Sequence, residues 1–278
     1  MSLHLFVKKI GILRIYQYVL FYSILLAYVL TGVDIFAEEL NPIGKSYEVT
    51  CSYDGDENFK KLGFPYLPAK GNYHYQAYLP KAYGERTQDR FPILFVMSPG
   101  GNVNIGAFAS ILEQQELIGV GLQEARNGDW EPIIGNFLAA HDDAIVKFRV
   151  DEERKFTTGF SGGARGSSLF TQVRPGFAGL VLQGAGYWFD EGKYAYHKTP
   201  KGLRVFMIMG KEDSNKNETE LAKQGIRGRG KFKLEIIEGG HSVSPLDKLL
   251  EAIQWVMLKE ASELGSEAEP TATNSSSP

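Results

Sequence analysis

Two periodicities alternate along the central part of the chain. Tyr73 to Leu79 (YHYQAYL) switches between ring or aliphatic positions and polar ones, which predicts an outer strand with one covered face. Ile93 to Met97 (ILFVM) is apolar without interruption and predicts a central strand buried on both faces. Leu117 to Leu122, Lys155 to Phe160, Ala178 to Leu182, Leu203 to Met209 and Lys231 to Ile237 predict five further strands. Between these runs, Ile134, Phe137, Leu138, Ile145 and Phe148 recur at helical spacing, as do Leu246, Leu249, Leu250, Ile253 and Met257. Such alternation is the pattern of an α/β fold: a mainly parallel sheet with helices on both faces. No internal repeat and no Pro/Gly/Ser-rich linker interrupts residues 45 to 260, so a single domain over 45–262 is expected.

The two ends depart from this pattern. Lys8, Lys9 and Arg14 precede an apolar stretch from Tyr18 to Val33, followed by the small residue Ala37 and the acidic pair Glu38-Glu39. This predicts a secretory signal over residues 1–37, and hence a secreted or periplasmic protein. If left uncleaved, the same stretch would be a membrane anchor, although it is short beside the ~20 residues of a bilayer span. Residues 265–278 (GSEAEPTATNSSSP) carry no hydrophobic period and predict a disordered tail.

Charge and cysteine content narrow the function. The net charge is -3, the body of the chain has no basic run, and a nucleic-acid partner is therefore not expected. Loss of residues 1–37 would remove Lys8, Lys9, Arg14 and Asp34, making the mature chain more acidic still. Cys51 is the single cysteine, which rules out an intrachain disulfide, a Cys-x-x-Cys redox pair and a Cys-based zinc site.

The segment Lys155-Phe156-Thr157-Thr158-Gly159-Phe160-Ser161-Gly162-Gly163 runs from a predicted strand into a predicted helix. Gly-x-Ser-x-Gly at such a junction holds a serine on a sharp turn with its hydroxyl exposed, so Ser161 is the candidate nucleophile. A serine hydroxyl needs a base. His241 follows the last predicted strand through Glu238-Gly239-Gly240 and precedes Pro245 and the last helix, which suits a ring leaning over the sheet edge. His74 falls in an early strand, His141 in a helix upstream of the serine and His197 in a polar loop. The expected chain order of serine, acid, histidine selects Asp213, in Gly210-Lys211-Glu212-Asp213 after the run Leu203 to Met209. Read without the other two residues, that segment is an ordinary solvated acidic turn. Donors for a tetrahedral oxyanion are expected from Gly162 and from Gly101 in the loop Ser98-Pro99-Gly100-Gly101-Asn102, which otherwise reads as a simple glycine turn.

Taken together, YHYQAYLPKAY, FPILFVMSPGGN, VDEERKFTTGFSGGA, GKED and GGH resemble the α/β-hydrolase superfamily, especially secreted esterases similar to polyhydroxyalkanoate-depolymerase and feruloyl-esterase relatives. The resemblance spans Tyr73 to Lys259. It implies an α/β-hydrolase fold and a Ser161-Asp213-His241 triad, with Gly101 and Gly162 as the oxyanion pair. No metal and no cofactor is implied, and the substrate would be a small-molecule or polymer-linked ester cleaved through an acyl-enzyme. Many relatives carry His-Gly where this chain has Pro99-Gly100, a departure in the oxyanion loop. Tyr187 and Trp188, leaving the strand after the nucleophile helix, and Trp130, in the loop after Leu122, are candidates to line the substrate pocket or, equally, to fill the core. A peptidase or thioesterase can use the same triad, and a non-catalytic binding module can keep the fold. Neither the particular substrate nor an oligomeric state is written in the pattern.

Overall fold

The computed structural model describes residues 41–188 and 199–258. The expected signal, 1–37, and the expected tail, 265–278, lie outside the described residues. Within them the strands are β1 (Ser46–Tyr53), β2 (Gly71–Tyr78), β3 (Phe91–Met97), β4 (Ile118–Leu122), β5 (Val150–Phe160), β6 (Phe177–Gln183), β7 (Arg204–Gly210) and β8 (Lys231–Ile237). They form one sheet in the order β1-β2-β4-β3-β5-β6-β7-β8. β2 runs antiparallel to both β1 and β4, and β4 through β8 are mutually parallel. The helices are α1 (Glu57–Lys61), α2 (Lys81–Glu85), α3 (Ala109–Gln114), α4 (Trp130–Lys147), α5 (Gly162–Val173), α6 (Glu218–Ile226) and α7 (Leu246–Met257).

The unbroken apolar run of β3 is explained by its place between two helical layers. Successive side chains of a strand point to opposite faces. Ile93, Phe95 and Met97 join one core with Phe137 of α4 and Phe170 of α5, while Leu94 and Val96 join a second with Leu112 of α3 and Leu249 and Ile253 of α7. Phe137 and Phe170 stack with ring centroids 3.8 Å apart, fixing α4 against α5. Burial of each large apolar side chain contributes roughly 1.5–3 kcal/mol, so both faces of the sheet are held by the same physical effect.

All seven expected strands are present, and β5 reaches back to Val150. β1 is additional. Its sequence SYEVTCSY alternates, with Val49, Cys51 and Tyr53 buried and Tyr47 half-buried against the same core, and this edge strand takes its place by pairing with β2. α6 is also additional, since it buries only Ala222, Gly225 and Ile226. Trp130 is the first residue of α4 and not a loop residue.

Candidate active site

Because β3, β5, β6, β7 and β8 are parallel, the loops leaving them gather at one edge of the sheet, the usual place for a site in such folds. Ser161 stands between β5 and α5 with φ 55° and ψ −122°. For a residue with a Cβ this is a strained conformation, costing about 1–3 kcal/mol. Surrounding bonds hold it there: its N–H donates to the Gln183 carbonyl at 2.8 Å, and its carbonyl accepts the Ala164 N–H at 2.9 Å. The turn is so tight that a Cβ on Gly159 would fall 2.3 Å from the Gly163 carbonyl oxygen, and one on Gly163 would fall 2.4 Å from that of Met97. Backbone crowding therefore demands both motif glycines.

His241 Nε2 lies 2.9 Å from Ser161 Oγ, and His241 Nδ1 lies 3.0 Å from each carboxylate oxygen of Asp213. A carboxylate only accepts, so the ring proton sits on Nδ1 and the Nε2 lone pair is left to accept from the serine hydroxyl. The Asp213 side chain is fully buried and its Oδ1 also accepts the Asn215 N–H at 2.8 Å. Glu212, one residue earlier, is exposed, and its backbone N–H donates to Gly239. The three residues singled out from sequence are thus brought into one hydrogen-bonded line.

Two residues not anticipated from sequence hold this line in place. Gly184 has φ 62°, and a Cβ there would lie 3.1 Å from Asp213 Oδ2 and 3.3 Å from His241 Nδ1. Gln183, buried at the end of β6, accepts the Ser244 N–H on the histidine loop at 3.3 Å and donates to Thr158 Oγ1 at 3.1 Å. A polar residue closing the apolar run Leu180-Val181-Leu182 was the available signal for Gln183. The Phe160 ring, its centroid 4.7 Å from that of His241, packs against the imidazole.

The oxyanion pair needs a correction. Gly162 is the first residue of α5, and its N–H is among those for which the helix supplies no acceptor. Gly101, by contrast, is buried and its N–H donates to the Ser98 carbonyl at 3.1 Å. Its glycine is needed because φ is 68° and a Cβ would fall 2.5 Å from the Gln123 carbonyl oxygen. Gly101 is a turn residue here. Gly100 is an exposed residue whose N–H donates to the Ser98 hydroxyl at 3.3 Å, a longer bond to a rotatable group, which makes it the better placed donor of that loop.

The aromatic residues divide. Tyr187 is 1% exposed, with its hydroxyl 2.9 Å from Thr199 Oγ1, and Trp188 is 4% exposed, packed on Phe64 and edge-on to Trp130. Both are core residues. Trp130 is half-buried between Trp188 and Tyr66.

A second buried polar group lies toward the start of β5. Lys155 Nζ is 3.2 Å from His141 Nε2, and His141 Nδ1 is 2.7 Å from Asp142 Oδ1, which Arg174 also engages. Burial, reinforced by the charge of Lys155, holds His141 below the usual histidine range.

No family model matches the sequence, and no curated protein does. Solved structures do match. A ferulic acid esterase aligns over 77% of this chain and 98% of its own, at 13% identity and TM-score 0.51. Fluorophosphonate-binding serine hydrolase F of Staphylococcus aureus aligns over 77% and 99%, at 13% identity and TM-score 0.53. A thermophilic carboxylesterase cloned from a metagenomic library aligns over 80% and 92%, at 13% identity and TM-score 0.54. With the strand order above, these place the chain in the α/β-hydrolase fold.

Proposed function

We propose that the protein is a serine hydrolase that cleaves carboxylic esters, small or polymer-linked, through an acyl-enzyme. The observation that carries this reading is the unbroken line Ser161 Oγ, His241 Nε2, His241 Nδ1, Asp213 at 2.9 and 3.0 Å, with the serine on a strained turn. Ser161 Oγ attacks the ester carbon as its proton passes to His241, and buried Asp213 stabilises the imidazolium. The carbonyl oxygen, now negative, is met by the N–H groups of Gly162 and Gly100. His241 returns the proton to the leaving alcohol. Water, deprotonated by the same ring, then releases the acid. The signal-like pattern of residues 1–37 supports an activity outside the cytoplasm. Fold neighbours described as a ferulic acid esterase, a carboxylesterase and a fluorophosphonate-binding hydrolase agree with an ester substrate.

The test is labelling with a fluorophosphonate probe and turnover of 4-nitrophenyl acetate. The adduct is expected on Ser161, and Ser161→Ala should abolish it while lowering turnover by several orders of magnitude with the fold retained. Activity of the variant within tenfold of wild type would overturn the assignment.

A further inference from the structure

The loop between β4 and α4 passes beside the proposed oxyanion site. It is tied there by two backbone contacts: the Asn127 N–H donates to the Pro99 carbonyl at 2.8 Å, and Arg126 forms an isolated bridge with Gly100. Asn127 is thereby fixed to the same loop that carries the Gly100 donor.

Its side chain leans over the nucleophile turn. A Cβ on Gly162 would fall 1.7 Å from Asn127 Oδ1, 2.7 Å from Cγ and 3.1 Å from Nδ2. The Gly-x-Ser-x-Gly motif leaves the residue after the serine free. In this chain that residue is a glycine, and the atoms that fill the space beside its α-carbon belong to the Asn127 amide. Gly159 and Gly163 answer to backbone crowding, whereas Gly162 makes room for a side chain.

That side chain has no structural employment in view. Asn127 is exposed, and among the described residues no hydrogen bond holds its Oδ1 or Nδ2. It lines a cavity of about 520 Å³ together with Asn102, Gln123 and Arg126. With neither amide atom engaged, rotation about the last side-chain bond exchanges oxygen and nitrogen at no cost in internal hydrogen bonds. The backbone donors of the neighbouring loop are already partly engaged: the Gly101 N–H is spent on the Ser98 carbonyl, and the Gly100 N–H is shared with Ser98 Oγ.

We propose that Asn127 is a catalytic residue whose Nδ2–H donates to the oxyanion formed at Ser161, alongside the Gly162 N–H. The inference rests on the ester-hydrolase reading above. As the bond from Ser161 Oγ to the carbonyl carbon forms, the C=O π pair moves onto oxygen and the hydroxyl proton passes to His241 Nε2. The new negative charge is then shared among the Gly162, Gly100 and Asn127 donors. A donor that meets charge only after attack strengthens in the transition state and lowers kcat when removed.

The test uses the full chain, 4-nitrophenyl acetate as substrate, and a trifluoromethyl ketone that adds to the serine as a tetrahedral alkoxide. Asn127→Ala is expected to lower kcat by roughly 10²–10³-fold, the cost of one oxyanion donor, and to weaken the ketone by a similar factor while KM moves little. Asn127→Asp keeps the size but offers no donor and adds a negative charge, and should fall at least as far. It decides by the same criterion if Asn127→Ala loses its circular-dichroism spectrum. A kcat within threefold of wild type overturns the proposal, as does a loss confined to KM with ketone affinity unchanged. A wild-type chain that neither hydrolyses the ester nor reacts with fluorophosphonate would instead sink the hydrolase reading itself.

Discussion

Asp213→Asn separates the tautomer of His241 from every other feature of the site, because size and packing are nearly conserved. The Asn215 N–H, 2.8 Å from Oδ1, requires an acceptor at that position. The new carbonyl oxygen is held there, and the NH₂ group takes the place of Oδ2, 3.0 Å from His241 Nδ1. Two donors then face one another unless the ring gives up its Nδ1 proton. With the proton on Nε2, the ring meets Ser161 as a donor and no longer accepts from it. In the best-studied triad this change costs about 10⁴ in turnover, equivalent to roughly 5.4 kcal/mol at about 1.36 kcal/mol per decade. The Oδ1 position is also 3.0 Å from Nδ1, so part of the ring population keeps an acceptor. A fall of about 10³–10⁴ in kcat/KM is therefore expected. The assay is hydrolysis of 4-nitrophenyl acetate across pH, with thermal unfolding recorded on the same samples. Glu212→Gln is the control: that side chain is exposed, and activity should stay within about twofold, as for other surface substitutions. Asp213→Asn within tenfold of wild type would refute the reasoning, and a crippling Glu212→Gln would move the acid by one residue.

Gly184→Ala should lose about 1–2 kcal/mol of stability to the left-handed backbone, measurable by denaturant titration. Because its methyl would sit 3.1 Å from Asp213 Oδ2 and 3.3 Å from His241 Nδ1, kcat should also drop at least tenfold; unchanged kcat would contradict the tight packing around the triad. His141 is held neutral in the folded chain while the unfolded chain takes up its proton near pH ~6.5. Its contribution is thus fully present above that pH and lost as pH falls below it, by up to about 1.4 kcal/mol per pH unit. His141→Gln should flatten the stability curve below pH ~6.5, and an unaltered slope would show that this ring does not titrate against the fold. The mature protein is expected to begin near Glu38; N-terminal sequencing of extracytoplasmic material checks this, and a full-length chain retained in the membrane would favour the anchor.

Seven strands, the long helices α4 and α7 and three residues that meet in the structure, Ser161, Asp213 and His241, were legible in the linear chain because each rests on a short-range rule. Strand and helix periods repeat within a few residues, the nucleophile turn is local, and serine, acid and histidine follow in a set order after predicted strands. α6 escaped because its apolar face is sparse, and β1 because its inward face, Tyr47, Val49, Cys51 and Tyr53, carries one aliphatic side chain among polar-tipped rings and a thiol; tertiary pairing supplies what propensity lacks. The finer features of the site come from contacts between segments distant in sequence. Gln183 meets Ser244, and Asn127 meets Gly162. The burial of Tyr187 and Trp188 likewise depends on Thr199, Phe64 and Trp130 arriving beside them. A hydrogen-bond donor or an aromatic ring has the same identity whether it is spent or free, and which of these holds is decided by what the folded chain brings within about 3–4 Å of it.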